Sequence, residues 1–267
     1  MAEISAALVK ELRDQTGAGM MDCKRALQET NGDMEAAVVL LRERGMAQAA
    51  KRADRATTEG KVGYRLADDG SKGTMVAVGC ETEPVSNNEE FLAYAKRVLE
   101  VVEENGLGAE SELEEERVAL SAKLGENIVV VGGARFEAID GAKIHAYTHV
   151  PANKFGSLLQ MRGGDSDLGR KVAMQIVSQR PRWIGREDVP EDLVQSEREI
   201  FTNSDEVQSK PEQAREKIVD GMLNKRFFGA NVLVDQEWIH DSSKTVGQAL
   251  KEAGAEVLEF ELFVLAG

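Results

Sequence analysis

The residues that could carry covalent or metal chemistry are few in this chain, and they are poorly spaced for it. His145 and His149 lie on a segment whose pattern predicts a strand. Four residues of strand span roughly 13 Å, whereas zinc holds its ligands at about 2 Å, so the two histidines cannot share one ion. Cys23 and Cys80 form no metal-ligand pattern, and we interpret both as small buried side chains. No metal site is expected.

A glycine-rich segment and the serines offer no better candidate. Residues 164–171 have glycines at the spacing of a phosphate-binding loop, but Arg170 follows the second glycine and no hydroxyl residue follows Lys171. Two aspartates inside the segment would repel phosphate, so we interpret it as a turn and a helix start. No serine or cysteine has a nucleophile setting such as Gly-x-Ser-x-Gly. The sequence therefore proposes no catalytic residue and no cofactor, and an enzyme with an unrecognised site remains only an alternative.

Composition limits the partners and the compartment. The 267 residues, 42% apolar and 30% charged, suffice for one large domain or two to three small ones. No stretch approaches the ~20 apolar residues of a membrane helix, and the N-terminus lacks the pattern of a secretory signal, so we expect a cytoplasmic protein without membrane contact. The formal net charge of -14 disfavours direct nucleic-acid binding, which depends on cationic contacts to phosphate.

Apolar periodicity predicts a helical module followed by an α+β region. Apolar residues recur every four positions from Ile4 to Leu12, glycines then interrupt the pattern, and two further stripes follow, the last ending at Gly45. This three-helix module resembles a ubiquitin-associated domain in size and turn pattern. Beyond it we predict strands and helices. The predicted strands are 61–66, 74–80, 128–131, 135–139, 144–150, 155–161 and 257–265, and the predicted helices are 91–102, 110–123, 168–177 and 245–251.

Residues 189–226 are predicted to be almost entirely helical, in two pieces. Pro211 opens the second piece, where proline is tolerated in the first turn. Two antiparallel helices with narrow apolar seams indicate a protruding hairpin inserted in the core. A single apolar seam is compatible either with packing inward or with pairing of two chains as a homodimer.

Two stretches resemble the signatures of the elongation factor Ts family. Residues 12–27, LRDQTGAGMMDCKRAL, match the N-terminal signature along its whole length, and residues 78–87, VGCETEPVSN, resemble the second signature. Supporting matches at 114–120, 124–128 and 243–248 follow in family order. The resemblance covers nearly the whole chain.

The resemblance implies a domain organisation that agrees with the pattern above: an N-terminal ubiquitin-associated-like domain, then a core of two α+β subdomains with an inserted antiparallel helical hairpin. The family often continues with a further C-terminal helix, which this sequence is expected to lack. The expected boundaries are 1–50 for the helical domain, 51–59 for a charged linker, 60–140 for core subdomain N, 141–182 with 230–267 for core subdomain C, and 183–229 for the hairpin.

The activity that the resemblance implies is guanine-nucleotide exchange on the translation GTPase elongation factor Tu. Such a protein binds the GDP-bound and nucleotide-free forms of Tu, promotes release of magnesium and GDP, and is displaced when GTP binds. No covalent chemistry is needed, because a partner can shift the equilibrium by its differential affinity alone. The protein is therefore not expected to be an enzyme.

Thr82, Glu83, Pro84 and Val85 correspond to the family's magnesium-dislocating loop, which inserts between helices of Tu. The family usually has aspartate and phenylalanine at positions 83 and 84. Glu83 keeps the carboxylate, whereas Pro84 removes an aromatic side chain that would be a candidate interface residue. The plainer interpretation is a turn after a strand. The further residues that the resemblance places against Tu are Arg13, Met20, Met21, Lys24, Leu124, Gly125 and His149.

Two other interpretations stay open. The first is a binding module that recognises a different protein through its helical N-terminal domain, which would show no nucleotide effect on binding. The second is a member of the family whose exchange activity is weakened by Pro84 and the short C-terminus.

Overall fold

The computed structural model describes residues 4–265 and confirms the α+β class. Helices α1 (Ala6–Thr16), α2 (Met20–Glu29) and α3 (Met34–Arg52) form the N-terminal module. The side chains of Ser5 and Asp33 cap α1 and α3 by accepting backbone N–H groups, and Gly17 ends α1 in the left-handed conformation. Five apolar side chains fully buried at its centre hold the three helices together: Leu12, Cys23, Ala26, Leu27 and Ala37.

The third helix differs from its prediction. It does not end at Gly45 but continues through an alanine-rich stretch to Arg52. Gly45 is buried, and a Cβ there would lie only 3.3 Å from the Cβ of Ala122. The glycine therefore serves a close approach between helices instead of a helix end.

The core consists of two three-stranded antiparallel sheets, in the orders β1-β2-β3 and β4-β5-β6. Apolar residues from both sheets share one core, which includes Val62, Met75, Ile144, Leu158 and Phe263. The strands are β1 (Glu59–Leu66), β2 (Lys72–Cys80), β3 (Val129–Glu137), β4 (Ala142–Thr148), β5 (Phe155–Arg162) and β6 (Glu256–Val264).

Helices cover the outer faces of the sheets and form the insertion. They are α4 (Glu83–Ser86), α5 (Glu89–Asn105), α6 (Glu114–Leu124), α7 (Ser166–Gln179), α8 (Glu191–Thr202), α9 (Asp205–Gln208), α10 (Glu212–Met222), α11 (Gly229–Asn231) and α12 (Val246–Glu252). Short 3-10 helices lie at Ala109–Leu113, Arg186–Asp188 and Leu233–Asp235, and a π-helix at Leu223–Phe228 continues α10. α5 packs on the first sheet, and α7 and α12 pack on the second.

Two further predictions were wrong in detail. The strands expected at 128–131 and 135–139 are one strand, β3, whose register against β2 shifts between Ala77 and Val78. Val131 is the extra residue of this bulge, and pairing with β2 continues through Gly132 and Gly133, so the glycines do not end the strand. The strand expected at 144–150 is β4, which ends at Thr148, one residue before His149.

The hairpin seam packs inward within the chain. Val207, Val219, Met222, Leu223 and Phe227 are buried together with residues that flank the insertion. The predicted turn at 164–171 is confirmed as the start of α7, where the Asp165 side chain accepts the backbone N–H of Leu168. Among residues 4–265, no helix combines the length and the apolar character needed to cross a bilayer.

Candidate protein-binding site

The 82–85 segment forms the start of a single helical turn directly after β2, not an irregular turn. Glu83 and Pro84 are exposed at the beginning of α4, whereas Val85 is half-buried against the core below α5. The Glu83 carbonyl accepts hydrogen bonds from Ser86 Oγ (2.9 Å) and Asn87 Nδ2 (3.1 Å). The backbone of the turn is thus fixed while the Glu83 and Pro84 side chains project into solvent.

Two glutamates that are 45 residues apart in the sequence, Glu81 and Glu126, hold this turn. Glu126 Oε2 accepts the backbone N–H groups of Glu81 and Thr82, both at 3.0 Å, and Glu126 Oε1 pairs with the Thr82 hydroxyl. In return, Glu81 Oε1 accepts the backbone N–H of Asn127 at 2.6 Å. We call these four residues, Glu81, Thr82, Glu126 and Asn127, the carboxylate clasp. It ties α4 to the segment that follows α6.

The end of β2 contributes one more contact to the turn. Burial raises the pKa of the Cys80 thiol to about 12, and the nearby Glu126 carboxylate acts in the same direction. The thiol therefore stays protonated at neutral pH. It donates a weak hydrogen bond to the Thr82 carbonyl at 3.4 Å. Cys80 and Cys23 are both buried and free, as predicted.

The clasp also reaches the linker that follows the N-terminal module. Asn127 Nδ2 donates to the carbonyls of Ala53 (3.2 Å) and Arg55 (2.9 Å). The Arg55 guanidinium lies 3.4 Å from the Glu81 carboxylate, although both groups are partly exposed. One buried asparagine therefore connects the base of the N-terminal module to the 82–85 segment.

The predicted contact residues of the N-terminal module lie on its surface. Met20 and Met21 are 49% and 64% exposed, so neither methionine folds into the core. Arg13 and Lys24 are exposed as well. Flexible thioethers beside cationic side chains form an adaptable surface for a partner.

The loop before these methionines lies beside the C-terminal end of α6. A Cβ on Gly17 would lie 3.0 Å from the Lys123 side chain. Lys123 Nζ in turn lies 2.6 Å from a carboxylate oxygen of Glu90, in the first turn of α5. Leu124 is half-buried against the core and Gly125 is exposed, in the left-handed conformation, immediately before the clasp. The structure therefore brings Leu124 and Gly125 together with the 82–85 segment.

His149 lies in the turn after β4, with its side chain exposed. Its Nδ1 is 3.0 Å from the Tyr147 hydroxyl. The same turn is joined to the end of α4 by Lys61, whose Nζ donates to Asn87 Oδ1 (2.9 Å) and to the Ala152 carbonyl (3.0 Å). The predicted contact residues thus form three patches: the N-terminal residues, Leu124-Gly125, and His149 with its turn. Hydrogen bonds of Glu126 and Lys61 join the second and third patches to the region of α4, whereas the first patch adjoins the end of α6 where Gly17 lies beside Lys123.

Sequence reasoning did not find the residues that fix these patches, namely Glu81, Glu126, Asn127, Lys61 and Lys123. The available signal was position: Glu126 and Asn127 follow Leu124-Gly125 directly, and Glu81 precedes Thr82. Within residues 4–265, no group of three or more His, Cys, Asp or Glu side chains is arranged to hold a metal ion.

Exposed residues therefore stand on a hydrogen-bonded frame, an arrangement that suits a surface for protein contact. Comparisons with known proteins identify the family of this chain. A family model described as Elongation factor TS matches residues 81–266. The elongation factor Ts of Thioalkalivibrio sulfidiphilus is 42% identical, with 96% of this chain and 90% of the relative covered.

Two further relatives carry the same description. The elongation factor Ts of Actinobacillus succinogenes is 42% identical, with 98% of this chain and 91% of the relative covered. That of Escherichia coli O139:H28 is 39% identical, with 98% and 92% covered. The chain belongs to the elongation factor Ts family, a family of translation elongation factors.

Proposed function

We propose that this protein is a guanine-nucleotide exchange factor for elongation factor Tu. It binds Tu in its GDP-bound and nucleotide-free forms, promotes release of magnesium and GDP, and leaves when GTP binds. The protein acts in the cytoplasm, by binding and without covalent chemistry. Tu is its partner, and neither nucleic acid nor a membrane takes part directly.

The observation that carries the proposal is the 82–85 segment. Its backbone is held by the carboxylate clasp and by Val85, while the Glu83 and Pro84 side chains remain exposed and, within the described chain, make no hydrogen bond or ion pair. An exchange factor needs such a preorganised projection, because ordering a loose loop on binding would reduce the affinity. The segment coincides with the family's second signature.

Exchange then follows from differential affinity. The protein must bind nucleotide-free Tu more tightly than GDP-bound Tu, and each ~1.4 kcal/mol of this difference weakens nucleotide binding tenfold. By linkage, bound nucleotide weakens binding of this protein by the same factor. We assign Glu83 and Pro84 to the contact that displaces magnesium. Arg13, Met20, Met21, Lys24, Leu124, Gly125 and His149 form the surrounding contacts that supply affinity.

Release of a fluorescent GDP from Tu tests the proposal. The rate should rise strongly when this protein is added, and a Glu83→Ala/Pro84→Ala variant should lose most of the effect. Glu89→Ala is the matched control, since Glu89 is exposed on the first turn of α5 and makes no side-chain hydrogen bond or ion pair in the described structure. If the double variant still accelerates GDP release, residues other than Glu83 and Pro84 make the contact that displaces magnesium. No acceleration by the wild-type protein would refute exchange and favour a binding module for another partner.

A further inference from the structure

An arginine pair lies outside the patches described above, at the end of α7. Arg180 and Arg182 are both exposed, in a chain with a net charge of -14. Neither has a carboxylate within 4.0 Å or makes a side-chain hydrogen bond within the described structure. Only two other arginines in residues 4–265 share this property, Arg13 and Arg170. An acidic protein offers many carboxylates, so cations left without one are available for a partner.

The two guanidinium groups are held against aromatic rings. The Arg180 Cζ lies 5.1 Å from the centre of the Phe155 ring, and the Arg182 Cζ lies 4.5 Å from that of Trp183. A cation over a ring face gains electrostatic attraction while its N–H edge stays free to donate. Each guanidinium is therefore positioned before any partner arrives, which lowers the entropy lost on binding.

The backbone beneath the pair is fixed as well. The Arg180 N–H donates to the Ile176 carbonyl, and the N–H groups of Arg182 and Trp183 both donate to the Asn231 carbonyl, at 2.8 and 3.2 Å. Pro181 between the arginines is buried. The arginines thus stand on a rigid corner where α7 ends and the helical insertion begins.

This corner adjoins one of the predicted contact residues. The Phe155 carbonyl accepts the backbone N–H of His149 at 2.9 Å, and the Phe155 ring supports Arg180. The arginine pair is therefore continuous with the His149 patch. A partner seated on that patch would meet two guanidinium groups next.

We infer that Arg180 and Arg182 form a carboxylate-binding corner that docks an acidic surface of Tu, which extends the contact at His149. This inference rests on the proposed function. Carboxylates suit the site because a planar guanidinium binds them through paired hydrogen bonds. A nucleic acid suits it less, since two cations release few counterions and the rest of the chain repels phosphate.

Association with nucleotide-free Tu, followed by stopped-flow fluorescence at low and high salt, tests the inference. Arg180→Gln/Arg182→Gln should lower the association rate at low salt and raise the Kd about tenfold, and its rate should depend less on salt. Arg180→Lys/Arg182→Lys keeps the charge but loses the planar stacking, so we expect it to recover only part of the affinity. Arg170→Gln is the matched control and should bind like wild type. Arg170 is exposed and, within residues 4–265, has no carboxylate within 4.0 Å and stacks on no aromatic ring.

The outcomes separate this inference from the proposed function. Unchanged association of the double glutamine variant, with wild-type acceleration of GDP release intact, would overturn the arginine corner and leave the exchange function standing. Failure of the wild-type protein to accelerate GDP release would overturn the exchange function itself. Binding of a labelled single-stranded RNA that is lost in the glutamine variant, with Tu association unchanged, would assign the corner to phosphate and also overturn the inference. Matching circular dichroism melting curves establish that each variant is folded.

Discussion

Replacing Glu126 with alanine should impair nucleotide exchange without unfolding the protein. The substitution removes the acceptor of the Glu81 and Thr82 N–H groups and the partner of the Thr82 hydroxyl. It leaves the Glu81–Asn127 hydrogen bond and the Cys80–Thr82 contact in place. The substitution therefore removes three hydrogen bonds that hold the start of the 82–85 segment, while the bonds to the Glu83 carbonyl and the packing of Val85 also remain.

The size of the effect follows from where these bonds lie. A hydrogen bond to a charged group contributes about 1.5–3 kcal/mol when it is buried. Thr82 is exposed and Glu126 is half-buried, so solvent reduces each contribution. We take about 1.4 kcal/mol as the combined contribution of the three hydrogen bonds that Glu126→Ala removes. Their loss would make the correctly ordered segment about tenfold less populated relative to disordered alternatives. Global stability should fall by less than about 1 kcal/mol, since the segment lies at the surface.

GDP release from Tu, measured over a range of exchange-factor concentrations, reports this effect directly. Glu126→Ala should need up to about tenfold more protein for half-maximal acceleration, if a disordered segment must be ordered on binding. Glu126→Gln keeps one acceptor oxygen and should lie between wild type and alanine. Glu112→Ala is the control, because Glu112 is exposed and makes no side-chain hydrogen bond or ion pair in the described structure. Wild-type kinetics for Glu126→Ala would refute the positioning role of the clasp.

Four further predictions follow from single features. The Tyr94 hydroxyl is buried without a hydrogen-bond partner in the described structure, so Tyr94→Phe should raise the free energy of unfolding by about 1 kcal/mol in urea titrations. Burial lowers the pKa of His145 in the folded protein. Below about pH 6.5 the unfolded chain therefore binds a proton that the folded chain does not bind, and the free energy of unfolding should fall as the pH drops. His145→Gln should flatten this part of the pH profile of the melting temperature. Pro84→Phe adds a larger apolar side chain at an exposed position and should increase the acceleration of GDP release several-fold, whereas an unchanged rate would separate this position from exchange. Sedimentation velocity should give a single species of 29.1 kDa because the hairpin seam packs inward, and a species of twice that mass which Ile200→Glu dissociates would instead establish pairing through the hairpin.

Much of the fold follows from local sequence pattern, and the failures at α3 and β3 share one cause. α1, α2 and the helices of the insertion have apolar stripes that a sequence displays directly, and Ser5 before α1 and Pro211 before α10 mark helix starts. Gly45 and the Gly132-Gly133 pair look like terminators, because glycine is cheap to place at a helix end or a turn. In the structure tertiary contacts decide instead: Gly45 admits α6, and β3 continues past its glycines along β2.

The frame of the site was beyond sequence reasoning for a different reason. Glu126 reaches Glu81 and Thr82 across 45 and 44 residues. The sequence does not distinguish Glu126, which accepts these hydrogen bonds, from the many glutamates that are simply solvated. The exposed residues of the site could be proposed because a family signature marks them, whereas the carboxylate that positions them carries no local pattern.

The hydrogen bonds of Asn127 help to explain how the proposed exchange could proceed without catalytic groups. A partner that touches both the N-terminal module and the 82–85 segment is held by two surfaces, and their separation decides whether both fit at once. Asn127 fixes that relation, since its amide donates to the linker at Ala53 and Arg55 while its backbone N–H donates to Glu81. Affinity gained at the N-terminal module can then act on the partner at the 82–85 segment only if this connection is stiff. The exchange activity proposed here therefore depends on the hydrogen-bonded frame as much as on the side chains it presents.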